Sequence, residues 1–185
     1  MNQTHTLNAG QQDTVRSVVT DACVEMLAAY GLPVGCIEPG RLIALSEHDI
    51  AGFIGFTGRV RGSLIFAASS KVFVSTFPIA AGAPEPPLPD LLDWAGEMTN
   101  QTLGRIKRRF CQRGIDFDTS TPTAVNGRHL GGRSPARDGI IDLVLTAGEE
   151  LVSVRFEVVP PADGQIFKLP VEPIACSEEG DLVLF

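Results

Sequence analysis

The segment DWAGEMTNQTLG, residues 93–104, sets a carboxylate, Glu97, three positions before a carboxamide, Asn100. A carboxylate only accepts hydrogen bonds, whereas a carboxamide accepts through its oxygen and donates through its nitrogen. At a spacing of three on a helix the two side chains are neighbours and address one partner surface. Such pairs also occur by chance on solvated helix faces, and their neighbours have plain roles too. Asp93 serves as a first-turn carboxylate, and Arg105, Lys107, Arg108 and Arg109 serve as cations at a helix C-terminus.

The element that positions the pair is a helix over residues 91–110, with Asp90 as N-cap and Asp93 in a capping-box-like position. At about 100° per residue, Leu92, Ala95, Thr99, Leu103, Ile106 and Phe110 form one stripe, the core face. Asp93, Glu97, Asn100, Gly104 and Arg108 form a second stripe facing away from it. Two glycines interrupt this helix, where an exposed Gly costs about 1 kcal/mol relative to Ala. Gly96 lies beside the core stripe and is expected to permit close packing. Gly104 lies on the outward stripe, where a partner backbone approaching Glu97 and Asn100 needs clearance.

Around this helix the periodicity predicts a first helix over 13–30 with Asp13 as N-cap, stopped by Gly31-Leu32-Pro33. Strands follow near 40–45, 50–58 and 61–69, the last two joined by a hairpin turn at GRVRG. SSKVFVSTF (69–77) reads as a short helix and AGAPEPPLPD (81–90) as a proline-dense loop. Further strands fall near 118–125, 139–147 and 151–159, the last pair joined at Gly148-Glu149-Glu150. The expected fold is α+β, two-layered, with an antiparallel sheet of about six strands and helices on one face. Residues 1–12 read as a flexible N-terminus, 13–159 as one domain, and 160–185 as an extension packing on that domain.

With 185 residues and 44% hydrophobic content the chain can build a real core. No apolar run reaches membrane-spanning length and no secretory leader pattern is visible, so a cytoplasmic location away from membranes is expected. The net charge of −7 argues against nucleic-acid binding, although Arg105–Arg113 and the basic loop 126–137 offer one local surface for it. Four scattered cysteines and three histidines show no metal-ligand spacing, so no metal or cofactor of its own is expected and the cysteines read as reduced, small hydrophobes.

The stripe of Asp93, Glu97, Asn100 and Gly104, preceded by the glycine-punctuated hairpin IGFTGRVRGSLIF, resembles the CheC/CheX/FliY chemotaxis phosphatase family, and CheX-like domains in particular. That family's pattern is Asp or Ser, Glu and Asn at these spacings, then a proline; Pro122 lies within one residue of the required distance. The resemblance covers roughly 13–159. Members of the CheC type carry a second such site on a related helix; here the first helix has Glu25 but Ala28 where the Asn is required, so one site is expected, as in CheX.

The resemblance implies hydrolysis of the phospho-aspartate of a CheY-like response-regulator receiver domain, with Mg²⁺ held by the receiver. Asn100 is then expected to position the attacking water and Glu97 to pair with the receiver's active-site lysine. Asp93, Gly104, Gln101 and Arg108 are the expected partner-binding rim. A homodimer joined through sheet edges of the later strands is also implied. The alternative is a non-catalytic receiver-binding or dimeric scaffold module.

Overall fold

The computed structural model describes residues 7–35, 49–79, 83–127, 139–161 and 166. In chain order it contains α1 (Ala9–Ala29), β1 (Val34–Gly35), β2 (Ile50–Gly58), β3 (Arg61–Ala68), α2 (Ser70–Thr76), α3 (Leu88–Cys111), β4 (Phe117–Thr119), β5 (Thr123–Asn126), β6 (Ile140–Ala147) and β7 (Glu150–Val159). Every strand pairing is antiparallel, in the order β1-β6-β7-β3-β2-β4, with β5 also on β2. α3 packs over β2, β3 and β5, α1 lies beside α3 over β6 and β1, and α2 rests on α3 and β3. This is the expected two-layer α+β fold, with seven described strands in place of about six. The sequence strand at 40–45 lies outside the described residues, as do 128–138 and most of the segment after 161.

One hydrophobic core fills the space between the layers. Val15, Val19, Ala22, Met26 and Leu27 of α1 meet Met98, Leu103, Ile106 and Phe110 of α3 and the inward residues Ile54, Leu64, Phe66, Val154 and Phe156 of the sheet. Phe56, Phe110, Phe117 and Phe156 form a ring cluster with centroids 4.6 to 5.9 Å apart. Ile166 is buried in the same core.

Helix boundaries differ from the sequence reading at both long helices. α1 begins at Ala9, capped by Asn8, whose Oδ1 accepts from Gln11 N at 2.9 Å while Gln11 Oε1 accepts from Asn8 N at 3.0 Å. This reciprocal box satisfies two orphan donors, so Asp13 is an interior residue and not the cap. α3 starts at Leu88, with Pro87 at the N-cap position and Asp90 in the first turn, not at the cap. Proline is tolerated there because a first-turn N–H has no helical acceptor anyway, so the loop is shorter than 81–90.

The expected strand 118–125 is broken into β4 and β5. Both pair with β2, but Ser120, Thr121 and Pro122 stand opposite only Ile54 and Gly55, so the strand bulges by one residue. Pro122 has no N–H for the ladder and is accommodated in this bulge. Ser120 ties the bulge down, donating its N–H to Gly55 O at 2.9 Å and accepting from Gly55 N through Oγ at 3.0 Å.

The cysteine reading also changes. Cys23 is fully buried, and burial pushes its thiol up to about 12. Cys111 is disulfide-bonded, so the four thiols are not all reduced.

Candidate functional site

α3 carries the site because its two faces have separate fates. Ala95, Met98, Thr99, Thr102, Leu103, Ile106 and Phe110 are buried, a broader face than the expected stripe; Leu92 is only half-buried and Leu91 takes the deeper place. The buried hydroxyls of Thr99 and Thr102 donate to the carbonyls of Ala95 and Met98, at 2.6 and 2.8 Å, so neither is left unsatisfied. The outward stripe stands as expected. Asp93, Gly104 and Arg108 are exposed, and Glu97 and Asn100 are half-buried between them.

The two glycines behave differently from each other. A Cβ at Gly104 would meet nothing within 4 Å, so its lack of a side chain serves no contact within the described fold. A Cβ on Gly96 would reach Pro122 at 3.8 Å, an ordinary contact. Gly96 is thus not the residue that lets helix and sheet approach. That residue is Gly52 in β2: a Cβ there would collide with Thr99 Oγ1 and come within 2.8 Å of Ala95 O. The contact at Gly96 has another meaning, since it brings the bulge proline against α3 one residue before Glu97.

Glu97 is held in place. Gln101 Nε2 donates to Glu97 Oε1 at 2.8 Å, and Tyr30 Oη, just past the end of α1, donates to Gln101 Oε1 at 2.8 Å. Tyr30 meets Trp94 edge-to-face at 5.3 Å, and Trp94 is fixed by Phe77 and by donating its Nε1–H to Thr76 Oγ1 at 3.0 Å. Asn100 contrasts with this, because its carboxamide makes no hydrogen bond to any described residue. Its acceptor and both donors remain open at the surface, next to a carboxylate whose position is set.

Further along α3, Glu25 of α1 sits among Arg105, Arg108 and Arg109 at 3.7, 3.4 and 2.9 Å, and Asp21 adds a contact to Arg109 at 3.7 Å. The arginines read as C-terminal cations thus also clamp α1 to α3. Glu25, the carboxylate of the unmatched first-helix motif, is committed to that clamp, while Arg108 stays on the outward stripe within reach of a partner.

The structure places Asp93, Glu97, Asn100, Gly104 and Arg108 on one face, as the helical spacing expects, whereas Gln101, expected in the partner-binding rim, has its amide engaged by Glu97 and Tyr30. Sequence reading missed Tyr30 and Trp94. Tyr30 lies 67 residues before Glu97 in the chain, and its only sequence signal is a lone tyrosine at a helix end. Among the described residues no three His, Cys, Asp or Glu side chains converge where a metal could sit, and no helix is long and apolar enough to cross a membrane.

The family model for chemotaxis phosphatase CheX matches residues 50–144, just over half of the chain and the whole of α3. The CheY-P phosphatase CheX of Thermotoga maritima is 34% identical over 85 residues, 45% of this chain and 55% of that protein, so the match spans about half of that relative. Among solved structures, the chemotaxis protein CheX of Vibrio vulnificus is similar with a TM-score of 0.62 at 23% identity, covering 77% of this chain and 97% of that one. The CheX-CheY-BeF3-Mg²⁺ complex of Borrelia burgdorferi aligns with a TM-score of 0.60 at 12% identity, covering 77% of this chain and 96% of that one. At these identities the structural likeness speaks for the fold, and the matched family model for descent. The chain belongs to the chemotaxis phosphatase CheX family.

Proposed function

We propose that this protein hydrolyses the phospho-aspartate of a CheY-like receiver domain, with the outward face of α3 as its active surface. The observation that carries the reading is the contrast between Glu97, pinned through one oxygen, and Asn100, whose carboxamide is uncommitted one turn further on. An acyl phosphate in a receiver is already surrounded by that domain's own groups, including the Mg²⁺ we assign to the receiver, as the composition of the Borrelia burgdorferi complex supports. What remains is to place a water in line with the bond to be broken, which is a positioning task. The Asn100 carbonyl accepts from that water while its amide donates to a phosphoryl oxygen. Glu97, with Oε1 taken by Gln101, offers Oε2 to the receiver's lysine and sets the register of docking. Asp93 and Arg108 flank the surface, and Gly104 leaves room for the partner's backbone.

For self-association we infer a contact through the sheet. Of the later strands β7 is enclosed between β6 and β3, while β4 and β5 line one edge of the sheet on β2 and β6 lies toward the other, the longer strand of the two edges. β1 pairs it only at Thr146 and Ala147, and from Ile140 to Leu145 no strand lies beside its outer edge among the described residues. Sedimentation of the wild type over a concentration series tests this: the inference requires a dimer, and a monomer at every concentration overturns it.

The test of the catalytic reading is timed loss of phosphate from a panel of phosphorylated receivers in Mg²⁺, with wild type, Glu97→Ala and Asn100→Ala. The wild type is expected to accelerate loss from at least one receiver and both variants to be impaired, Glu97→Ala chiefly in KM and Asn100→Ala in kcat. Receiver binding without acceleration by the wild type would favour a docking module instead.

A further inference from the structure

We infer that Tyr30 is a positioning residue for Glu97, acting through Gln101, so that α1 sets the docking geometry of the active face of α3. The inference rests on the reading of Glu97 as the group that meets the receiver's lysine.

The chemistry of the three groups fixes the direction of the relay. A carboxylate only accepts, so the amide of Gln101 must turn Nε2 toward Glu97, at 2.8 Å. Its oxygen then points away, and the Tyr30 hydroxyl donates to it at 2.8 Å. The reversed amide would set oxygen against carboxylate and is disfavoured by repulsion. Tyr30 thereby stabilises the one orientation of Gln101 that holds Glu97. Along α3, Trp94, Glu97 and Gln101 follow at helical spacing, and the Tyr30 ring spans this row with its edge-to-face contact to Trp94 at 5.3 Å.

An unheld glutamate on a helix surface samples several rotamers, and ordering it on docking weakens binding. The relay orders it beforehand, in the free protein. Asn100 makes no hydrogen bond to the relay, so loss of the relay acts on docking and leaves the water-positioning step in place.

Tyr30→Phe removes the hydroxyl and keeps the ring against Trp94. It is expected to raise KM for the phosphorylated receiver about 3- to 10-fold, with kcat within about twofold and the melting temperature unchanged. Gln101→Met is expected to do the same, and adding Tyr30→Phe to Gln101→Met, or to Glu97→Ala, to bring no further rise. An unchanged KM in Tyr30→Phe, or an equal rise in the Glu97→Ala background, overturns the inference. A readout independent of activity is the side-chain amide of Gln101 followed by NMR. It should be rigid in the wild type and become mobile in Tyr30→Phe; equal mobility in both overturns the relay even if phosphatase activity is present. Should no receiver be dephosphorylated by the wild type, the catalytic reading fails, and the amide measurement still decides the relay.

Discussion

Glu97 and Asn100 stand three residues apart on the outward side of α3, and of their two side chains only that of Glu97 has a hydrogen bond to a described residue. In the proposed reading, a held carboxylate beside an open carboxamide divides the labour of docking a charged partner and placing a water. Neither the helix nor the core needs that pairing, because the stability of α3 comes from its opposite face.

Gly104 separates fold from function most cleanly. Its missing Cβ contacts nothing, so Gly104→Ala is expected to stabilise the protein by about 0.5–1 kcal/mol through helix propensity, read as a higher midpoint of urea unfolding. Gly104→Trp should fold equally well yet bind the receiver at least about tenfold more weakly, by blocking close approach. Unimpaired binding by the tryptophan variant would remove the clearance role.

Gly52 is the converse case, a glycine the fold requires. Gly52→Ala would press a methyl group into Thr99 Oγ1 and the carbonyl of Ala95, and is expected to cost about 1–3 kcal/mol in denaturant unfolding. Adding Thr99→Ala should recover part of that loss and not all of it, since the Ala95 carbonyl at 2.8 Å remains.

Cys23 supplies a prediction about pH. Its folded-state thiol is pushed up to about 12 by burial, above the value of an unfolded cysteine, so the native state keeps its proton longer. The group's contribution to stability is complete below the unfolded pKa and declines as pH rises from about 9 toward about 12, by at most about 1.4 kcal/mol per pH unit. Wild type should therefore lose stability faster than Cys23→Ala over that window. At neutral pH, iodoacetamide should label the Cys23 peptide only at the rate of unfolding; rapid labelling of the native protein would show that the site is open.

The outward and core faces of α3 were legible because a 3.6-residue period converts spacing directly into direction, and the hairpins because glycine turns leave a local mark. Other features depended on contacts far apart in sequence. No local rule announces that Tyr30 will meet Gln101, or that Gly52 rather than Gly96 is where helix and sheet approach. The bulge at Ser120–Pro122 was visible only as a proline in an expected strand. Its consequence, a ring set against α3 beside Glu97, appears once β4 and β5 share β2 as their neighbour. The helix starts shifted because Asn8 with Gln11 caps α1 ahead of Asp13, while α3 begins after Pro87 with no side-chain cap and Pro89 simply has no N–H to leave unpaired.

The most direct test compares two quantities in one variant: the rate of phosphate loss from the cognate receiver, and the affinity for that receiver activated by beryllofluoride, in wild type and Asn100→Ala. A carboxamide that positions water predicts a fall in the catalysed rate of about 100-fold or more with affinity kept within about threefold. A variant that still hydrolyses at the wild-type rate, or that loses rate and affinity by the same factor, contradicts it.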